Sequence, residues 1–171
     1  MKIYRCMVCG EVYIGEAKPK SCPFCGAHEN YFVPADEWHL LKTDKLSNSS
    51  RDNLMKALEL ELDNTNFYKA VSEISNSSYI QSMFKGLSKV EREHASAICK
   101  HLGIQKPDYK KGFDKAVDSD QDNIAEANRR ENRAVKFYSE AMSQAVEADI
   151  KEFFKAITQV ESDHIVLTKQ K

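Results

Sequence analysis

The chain has 171 residues, 25 of them basic and 26 acidic, so its net charge of −1 lacks the basic excess of nucleic-acid-binding proteins. It contains no apolar run close to the roughly 20 residues that a membrane-spanning helix needs. Its five cysteines follow no apolar secretory signal, which favours the reducing cytoplasm. We therefore expect neither nucleic acid nor a membrane as a partner.

The first predicted element is a metal-binding domain over residues 1–35. Two C-x-x-C pairs, separated by twelve residues and each followed by glycine, supply Cys6, Cys9, Cys22 and Cys25. Four thiolates at this spacing form a tetrahedral site for zinc or iron, and the spacing does not choose between these ions. Disulfide pairing is the alternative, and the missing signal sequence argues against it. A domain of about 35 residues is too small for an adequate core, so it needs its metal to fold.

Residues 36–50 are predicted to link this domain to a helical domain over residues 51–171. Ser50 is placed to cap the first helix, because serine favours the position that precedes a helix. Trp38, Leu40 and Leu41 interrupt the polar linker, and we expect them to dock on the helical domain or on a partner. Together with the small metal domain, this segment predicts a homodimer or a larger homo-oligomer.

Four amphipathic helices are predicted in the second domain, and apolar residues at three-and-four spacing favour a four-helix bundle. Ser75–Ser78 marks the turn between the first two helices, and Gly103 marks the end of the second. The stretch from Ile104 to about Val117 is predicted to be a long crossover. The last turn is predicted near residues 146–149.

The helical domain contains an internal repeat with an offset of seventy residues. Glu91-x-x-His94 recurs as Glu161-x-x-His164, and a glutamate thirty residues upstream of each motif recurs as Glu61 and Glu131. Residues at i and i+3 share one helix face, and all six fall on apolar stripes, where an unpaired carboxylate would cost several kcal/mol. One such motif is common on solvated helices, and a buried ion pair could explain one glutamate. Two copies in one register favour two metal ions held between the four helices.

The predicted ligands have distinct roles. Glu91 and Glu161 are predicted to bridge the two ions, Glu61 and Glu131 to bind one ion each, and His94 and His164 to complete the two sites. Tyr68 and Tyr138 recur at the same offset, seven residues after the outer glutamates. A tyrosine on a core stripe is usually a packing residue, and a hydrogen bond to a metal ligand is the alternative.

The two motif sets together resemble the rubrerythrins. The resemblance implies an all-α, ferritin-like four-helix bundle with a small rubredoxin-like (zinc-ribbon-type) domain, here in the reversed, N-terminal position. It also implies a rubredoxin-type Fe(Cys)4 site, a di-iron centre, and a peroxidase in which electrons for hydrogen peroxide reduction enter at the thiolate iron. The implied donor is a flavoprotein reductase, acting directly or through a small rubredoxin. In this family the thiolate iron of one subunit lies near the di-iron centre of another.

One position departs from the family pattern. Rubrerythrins carry a further glutamate three residues after the third-helix ligand, where this chain has Ala134. In the family that glutamate exchanges with the second-helix histidine, here His94, as one iron changes its oxidation state. We therefore expect both irons to keep their histidines, with Asn128 as the nearest other polar side chain on that face.

A second function stays open: a ferritin-like protein that oxidises or holds iron, whose N-terminal domain is a zinc ribbon for partner binding. Carboxylate–histidine sites also accept manganese or zinc. His28, His39 and His101 have no partners at helical spacing, and we interpret them as surface or packing residues. Cys99 is interpreted as a small buried apolar residue.

Overall fold

The computed structural model describes residues 1–108 and 115–169. The N-terminal part is a three-stranded antiparallel sheet of order β2-β1-β3, formed by β1 at Lys2–Cys6, β2 at Val12–Gly15 and β3 at Phe32–Pro34. A short 3-10 helix at Glu29–Tyr31 leads into β3. Because β1 ends at Cys6, the strand delivers the first cysteine directly to the turn that contains the second.

In the described residues four long helices follow: α1 at Asn48–Ile74, α2 at Ser78–Leu102, α3 at Asp120–Gln144 and α4 at Ala148–Lys169. α1 packs mainly against α2, and α3 packs mainly against α4, so the bundle consists of two helical hairpins. The prediction that Gly103 ends α2 is confirmed, since it adopts a φ of 67°, a left-handed conformation that glycine takes at low cost. The predicted crossover includes residues 109–114, which lie outside the described residues.

The start of α1 differs from the prediction. Ser47, not Ser50, caps the helix, because the Ser47 Oγ accepts a hydrogen bond from the backbone N of Ser50 at 3.2 Å. Ser50 is buried in the first turn and donates its hydroxyl to Glu147, just before α4. The prediction was wrong because local spacing does not reveal this contact across 97 residues. The first turn of α1 therefore lies within the segment predicted to be a linker.

The apolar linker segment packs on the N-terminal domain, a docking site that was not among those expected. Its docking on a partner stays a prediction. Trp38 Nε1 donates to the Cys6 carbonyl at 2.9 Å, and the Arg5 guanidinium lies 3.4 Å from the centroid of the Trp38 ring. Leu41 is buried, and its backbone N donates to the Met7 carbonyl at 2.9 Å. These contacts enlarge the core of a very small domain. They also remove one argument for an oligomer, which stays a prediction.

The interior of the bundle is largely apolar on either side of the ligand positions. Leu54 and Leu58 are buried on α1 before Glu61, and Phe84 and Leu87 are buried on α2 before the Glu91 motif. Helix-period apolar stripes thus bury the ligand positions that they contain. None of the described helices has an apolar stretch long enough to span a lipid bilayer. The predicted fold class, a four-helix bundle behind a small metal-binding domain, is confirmed.

Candidate metal centres

Four cysteine sulfurs meet where two turns of the N-terminal domain face each other. The Sγ atoms of Cys6 and Cys25 lie 3.8 Å apart, as do those of Cys9 and Cys22. A disulfide would bring such a pair to about 2.0 Å. Four sulfurs placed tetrahedrally about 2.3 Å from one metal ion would lie about 3.8 Å apart. The spacing therefore fits a single metal ion held by all four cysteines.

The two turns that hold these sulfurs have the same backbone design. Gly10 N donates to the Cys6 carbonyl and Gly26 N donates to the Cys22 carbonyl, both at 2.9 Å. Both glycines have positive φ, 85° and 75°, which lets the chain turn back after each second cysteine. Hydrogen bonds among the four thiols lower the pKa of Cys6 and Cys22 and raise the pKa of Cys9 and Cys25. The thiolate is the metal-binding form, so an ion held by all four sulfurs would displace the protons that the thiols share.

The six predicted ligands of the bundle converge in its interior as two overlapping groups. One group comprises Glu61, Glu91, His94 and Glu161, and the other comprises Glu91, Glu131, Glu161 and His164, with ligand atoms within 4.8 Å of one another in each group. Glu91 and Glu161 belong to both groups. All four glutamates and His94 are fully buried, and His164 is 8% exposed.

The two shared glutamates divide their oxygens between the two groups. His94 Nδ1 lies 3.0 Å from Oε2 of Glu91 and 3.2 Å from Oε1 of Glu161. His164 Nδ1 lies 3.0 Å from Oε2 of Glu161 and 3.2 Å from Oε1 of Glu91. Atoms that bind one ion at about 2 Å are separated by about 3 Å, so each carboxylate can contact two ions. The matched distances reproduce the sequence repeat in three dimensions.

The two outer glutamates are each held by a tyrosine from the opposite hairpin. Tyr68 on α1 donates its hydroxyl to Oε1 of Glu131 on α3, and Tyr138 on α3 donates to Oε1 of Glu61 on α1. The remaining Oε2 of each glutamate lies 3.7 Å from the nearest ligand histidine. Both tyrosines therefore bond directly to ligand glutamates, and each outer glutamate keeps one oxygen for a single ion.

Six buried polar atoms of this site lack a hydrogen-bond partner in the described residues, as expected of atoms that bind metal. Within the described residues, both oxygens of Glu91, Oε1 of Glu161, Oε2 of Glu61, Oε2 of Glu131 and Nδ1 of His94 form no hydrogen bond. Buried polar atoms are rarely left in this state. Burial, and then the charges of Glu161 and Glu91, raises the pKa of both Glu61 and Glu131 well above the usual carboxyl value. Cations between the carboxylates would remove both penalties, so the residues fit two metal ions.

The position of the family's additional glutamate cannot contribute a ligand. Ala134 is fully buried, and a methyl group does not bind metal. Asn128 donates its amide to Thr168 Oγ1 at 3.0 Å and to the Ile165 carbonyl at 3.3 Å, and its Oδ1 accepts from Asn132 at 3.1 Å. Asn128, the nearest other polar side chain on that face, therefore fastens the end of α4. The polar atoms of its side chain are already engaged there.

The thiolate site and the bundle site meet at His94. While His94 Nδ1 faces the carboxylates, its Nε2 lies 2.8 Å from the backbone carbonyl of Cys25. A carbonyl only accepts hydrogen bonds, so Nε2 carries the proton and Nδ1 is free to bind metal. This contact lies within one chain, whereas the family resemblance implied a contact between subunits. No local sequence pattern could predict this contact, because the two residues are 69 positions apart.

Further contacts seat the N-terminal domain on the bundle, and they were missed from sequence. Tyr31 donates to Glu152 on α4 at 2.9 Å, and His28 Nε2 lies 2.7 Å from Asp163 Oδ2. Lys100 Nζ on α2 donates to the Cys9 carbonyl at 2.6 Å. His28 thus forms a hydrogen bond at the domain interface. Its isolated position in the sequence carried no signal for this role.

Comparisons with known proteins agree with the two-part architecture. The family described as "Rubrerythrin" matches residues 52–169, and "Rubrerythrin, rubredoxin-like domain" matches residues 4–33. Reverse rubrerythrin-1 of Clostridium acetobutylicum is 28% identical over 133 residues, which cover 71% of this chain and 74% of that protein. No solved structure matches the chain significantly. The chain therefore belongs to the rubrerythrin family, in the reversed order that places the rubredoxin-like domain before the bundle.

Proposed function

We propose that this protein reduces hydrogen peroxide to water at a di-iron centre in the bundle, with electrons entering at an iron held by the four cysteines. The observation that carries the proposal is the position of His94. One edge of its ring faces the bundle carboxylates, and the other donates to the carbonyl of the metal-binding Cys25. The path from the Cys25 sulfur to the His94 ring consists of the covalent bonds of Cys25 and the hydrogen bond from His94 Nε2 to the Cys25 carbonyl.

Iron bound at the two sites would supply the two electrons that cleave the O–O bond of peroxide. The protein contributes ligands that are already in place. Tyr68 and Tyr138 fix the outer glutamates, and burial, followed by the charge of Glu131 for Tyr68 and of Glu61 for Tyr138, raises the pKa of both phenols. Both tyrosines therefore stay protonated as donors. The four carboxylates are fully buried, so bulk water does not reach their oxygens.

The proposed electron donor is a flavoprotein reductase, acting directly or through a small rubredoxin. A site of four free thiolates needs a compartment that keeps cysteine reduced, and we propose the cytoplasm. We also propose a homodimer or larger homo-oligomer, for which sedimentation of the metal-loaded protein is the test. A stable, active monomer would contradict this part of the proposal.

The Cys9→Ser variant tests the role of the thiolate site. Cys9 lies outside the bundle, so the variant should retain its helical content and its bundle metal. It should lose steady-state peroxide reduction with a reductase, yet react once with peroxide after chemical reduction. Unchanged steady-state turnover would refute electron input through the cysteines.

Metal analysis of anaerobically purified protein distinguishes the alternative function. An iron-storing or iron-oxidising protein with a zinc ribbon would contain zinc at the cysteines and would lack the visible absorption of a ferric thiolate site. It would also react with oxygen at least as fast as with peroxide in stopped-flow mixing. The absence of an additional carboxylate at Ala134 is the feature that keeps this alternative open.

A further inference from the structure

The two ends of the bundle metal site are covered differently. At the His94 end, the rubredoxin-like domain closes the site, with the Cys25 carbonyl 2.8 Å from the ring. Gly26 lies so close to α4 that a Cβ on it would come within 2.7 Å of Val160 Cγ1. At the other end, His164 is the one ligand with exposed surface, at 8%. Access from solvent is therefore at the His164 end.

An open groove between α2 and α4 lies at this exposed end. It has a volume of about 410 Å³, and alongside His164 its lining includes Tyr79, Met83, Gly86, Leu87, Val90 and Leu167. No charged side chain lines it in the described part of the chain. His164 Nδ1 lies 3.0 Å from Glu161 Oε2, so a single imidazole ring separates the groove from the carboxylates. The lining favours uncharged ligands with hydrocarbon surface.

The internal repeat relates this groove to the surface that the rubredoxin-like domain covers. At the offset of seventy residues, His164 corresponds to His94 and Val90 corresponds to Val160, the residue against Gly26. The groove is therefore the uncovered counterpart of the domain's docking surface. A second rubredoxin-like domain is one candidate to fill it.

The polar anchors needed for a second such domain are incomplete. Glu152, which accepts from Tyr31 at the covered end, has Ser82 as its counterpart in the groove. Only Asp163, the partner of His28, keeps an acidic counterpart, in Glu93. Buried tyrosine hydroxyls usually need a hydrogen-bond acceptor at such an interface. The groove is thus better suited to a small apolar molecule than to a second copy of the domain.

We propose that this groove is the access route of hydroperoxides to the metal site, and that its apolar lining holds the hydrocarbon part of an organic hydroperoxide. The inference rests on the proposed function and names a wider substrate class for it. The reaction is ROOH + 2 e⁻ + 2 H⁺ → ROH + H₂O, in which the O–O bond breaks and the alcohol and water leave. Two reduced irons held by the six bundle ligands would supply the two electrons, the proposed flavoprotein reductase would replenish them, and solvent would supply the protons.

Gly86 allows the route to be blocked without strain. It is an exposed helical residue, and a Cβ added to it would have no atom within 4 Å. Leucine also favours the helix over glycine. In Gly86→Leu we expect kcat/KM for cumene hydroperoxide to fall about tenfold or more, the scale on which filling a hydrophobic pocket discriminates substrates, with a smaller loss for hydrogen peroxide. Lys85→Leu, which adds an exposed leucine outside the groove, should retain wild-type values.

A second measurement does not depend on activity. In zinc-loaded protein, which cannot reduce peroxides, 2-phenylpropan-2-ol should shift the NMR methyl signals of Met83, Leu87 and Leu167. Gly86→Leu should abolish these shifts, and Lys85→Leu should preserve them. Shifts that are absent from the wild-type protein, or kinetics unaffected in Gly86→Leu, would overturn the proposal. The proposal would also be overturned if the wild type showed no shifts and Gly86→Leu changed the oligomeric mass. Those two results together would mean that a second copy of the chain covers the groove.

The two proposals fail in different ways. If iron-loaded wild-type protein does not reduce hydrogen peroxide, the proposed function is wrong, and the access route for peroxides falls with it. The NMR titration would then still show whether the groove binds an apolar molecule. If hydrogen peroxide is reduced while Gly86→Leu changes neither rate, the function stands and the access route is wrong.

Discussion

At the scale of single residues, the division of labour among the four glutamates follows from where each oxygen points. Glu91 and Glu161 each direct one oxygen to His94 and one to His164. The outer glutamates each spend one oxygen on a tyrosine hydroxyl. Loss of a shared glutamate therefore removes a ligand from both ions, whereas loss of an outer glutamate removes a ligand from one.

This difference predicts the metal content of alanine variants. Glu91→Ala and Glu161→Ala should lose both bundle ions, while Glu61→Ala should keep the ion on the His164 side. Metal analysis after anaerobic reconstitution measures the result, with Glu59→Ala, an exposed position on the same helix as Glu61, as the control. Equal metal content in the shared and outer variants would contradict the assignment of the bridging residues.

Ala134 predicts how the site responds to oxidation. His94 is held through Nε2 by the Cys25 carbonyl, and no carboxylate competes for its position because residue 134 ends at a methyl group. We expect structures of the reduced and oxidised forms to show His94 bound to its metal in both. Ala134→Glu should introduce the competition, at a cost of about 1–3 kcal/mol for overpacking a buried position.

Ala134→Gln is the matched control for that experiment, since it has the same size without the negative charge. Only the glutamate variant should release His94 on oxidation, because oxidised iron prefers anionic oxygen ligands. If His94 leaves its metal in the oxidised wild-type protein, another protein carboxylate replaces it and the prediction is wrong.

At the scale of secondary-structure elements, the end of α2 contains a buried imidazole without hydrogen-bond partners. His101 is 4% exposed, neither ring nitrogen is bonded to another described residue, and its ring centroid lies 4.2 Å from that of Phe153 on α4. Burial, together with Lys42 and Lys100, lowers its pKa to about 4. At pH values between the folded pKa of about 4 and the unfolded pKa of about 6.5, His101 binds more protons in the unfolded chain than in the folded one. Lowering the pH through this range therefore favours unfolding.

The α2–α4 contact should therefore weaken as the pH falls below about 6.5. Lowering the pH from 7 to 5 should reduce the free energy of unfolding by about 2 kcal/mol through the protonation of His101. His101→Phe keeps a ring against Phe153 and cannot titrate, so urea unfolding at both pH values should show a smaller loss in this variant than in the wild type. Equal losses in the two proteins would show that His101 is not the group responsible.

How far the sequence predicts each element depends on the range of the contacts involved. The ligand motifs were found because i and i+3 neighbours on a helix are local, and because the repeat presents them twice in one register. The capping residue was misplaced by three positions, since the burial of Ser50 depends on Glu147. Trp38 was recognised as a docking residue, but its acceptor, the Cys6 carbonyl, is a backbone atom without any sequence signature.

At the scale of the whole molecule, the main structural fact absent from the sequence is where the rubredoxin-like domain sits. Cys25, Tyr31 and His28 all contact residues of the bundle, through a backbone carbonyl, a hydroxyl and an imidazole. These are ordinary groups whose partners lie at least 69 residues away along the chain. A domain that is stabilised by its own metal can dock with few such contacts, so they leave little trace in composition or periodicity.

Gly26 and Gly10 provide a test of this docking that holds the local strain constant. Each follows the second cysteine of its turn and has a positive φ, 75° and 85°, where an alanine would cost about 1–2 kcal/mol. A Cβ on Gly26 would come within 2.7 Å of Val160 Cγ1 on the bundle, whereas a Cβ on Gly10 would have no neighbour closer than 3.5 Å. Gly26→Ala should therefore push the domain away from α4 and lengthen the contact between His94 and Cys25, and Gly10→Ala should not.

We expect both variants to bind the same metals with the same helical content. After chemical reduction of the iron-loaded variants and mixing with peroxide, iron at the cysteines should be reoxidised several-fold more slowly in Gly26→Ala than in Gly10→Ala, because in the proposed function electrons reach the bundle through the disturbed contact. The visible absorption of the ferric thiolate site, followed by stopped flow, measures this rate directly. Identical rates in the two variants would mean that electrons do not pass through this interface. Because the two glycines share their conformation and differ in what they face, slower reoxidation in Gly26→Ala alone would be assigned to the interface and not to damage at the cysteines.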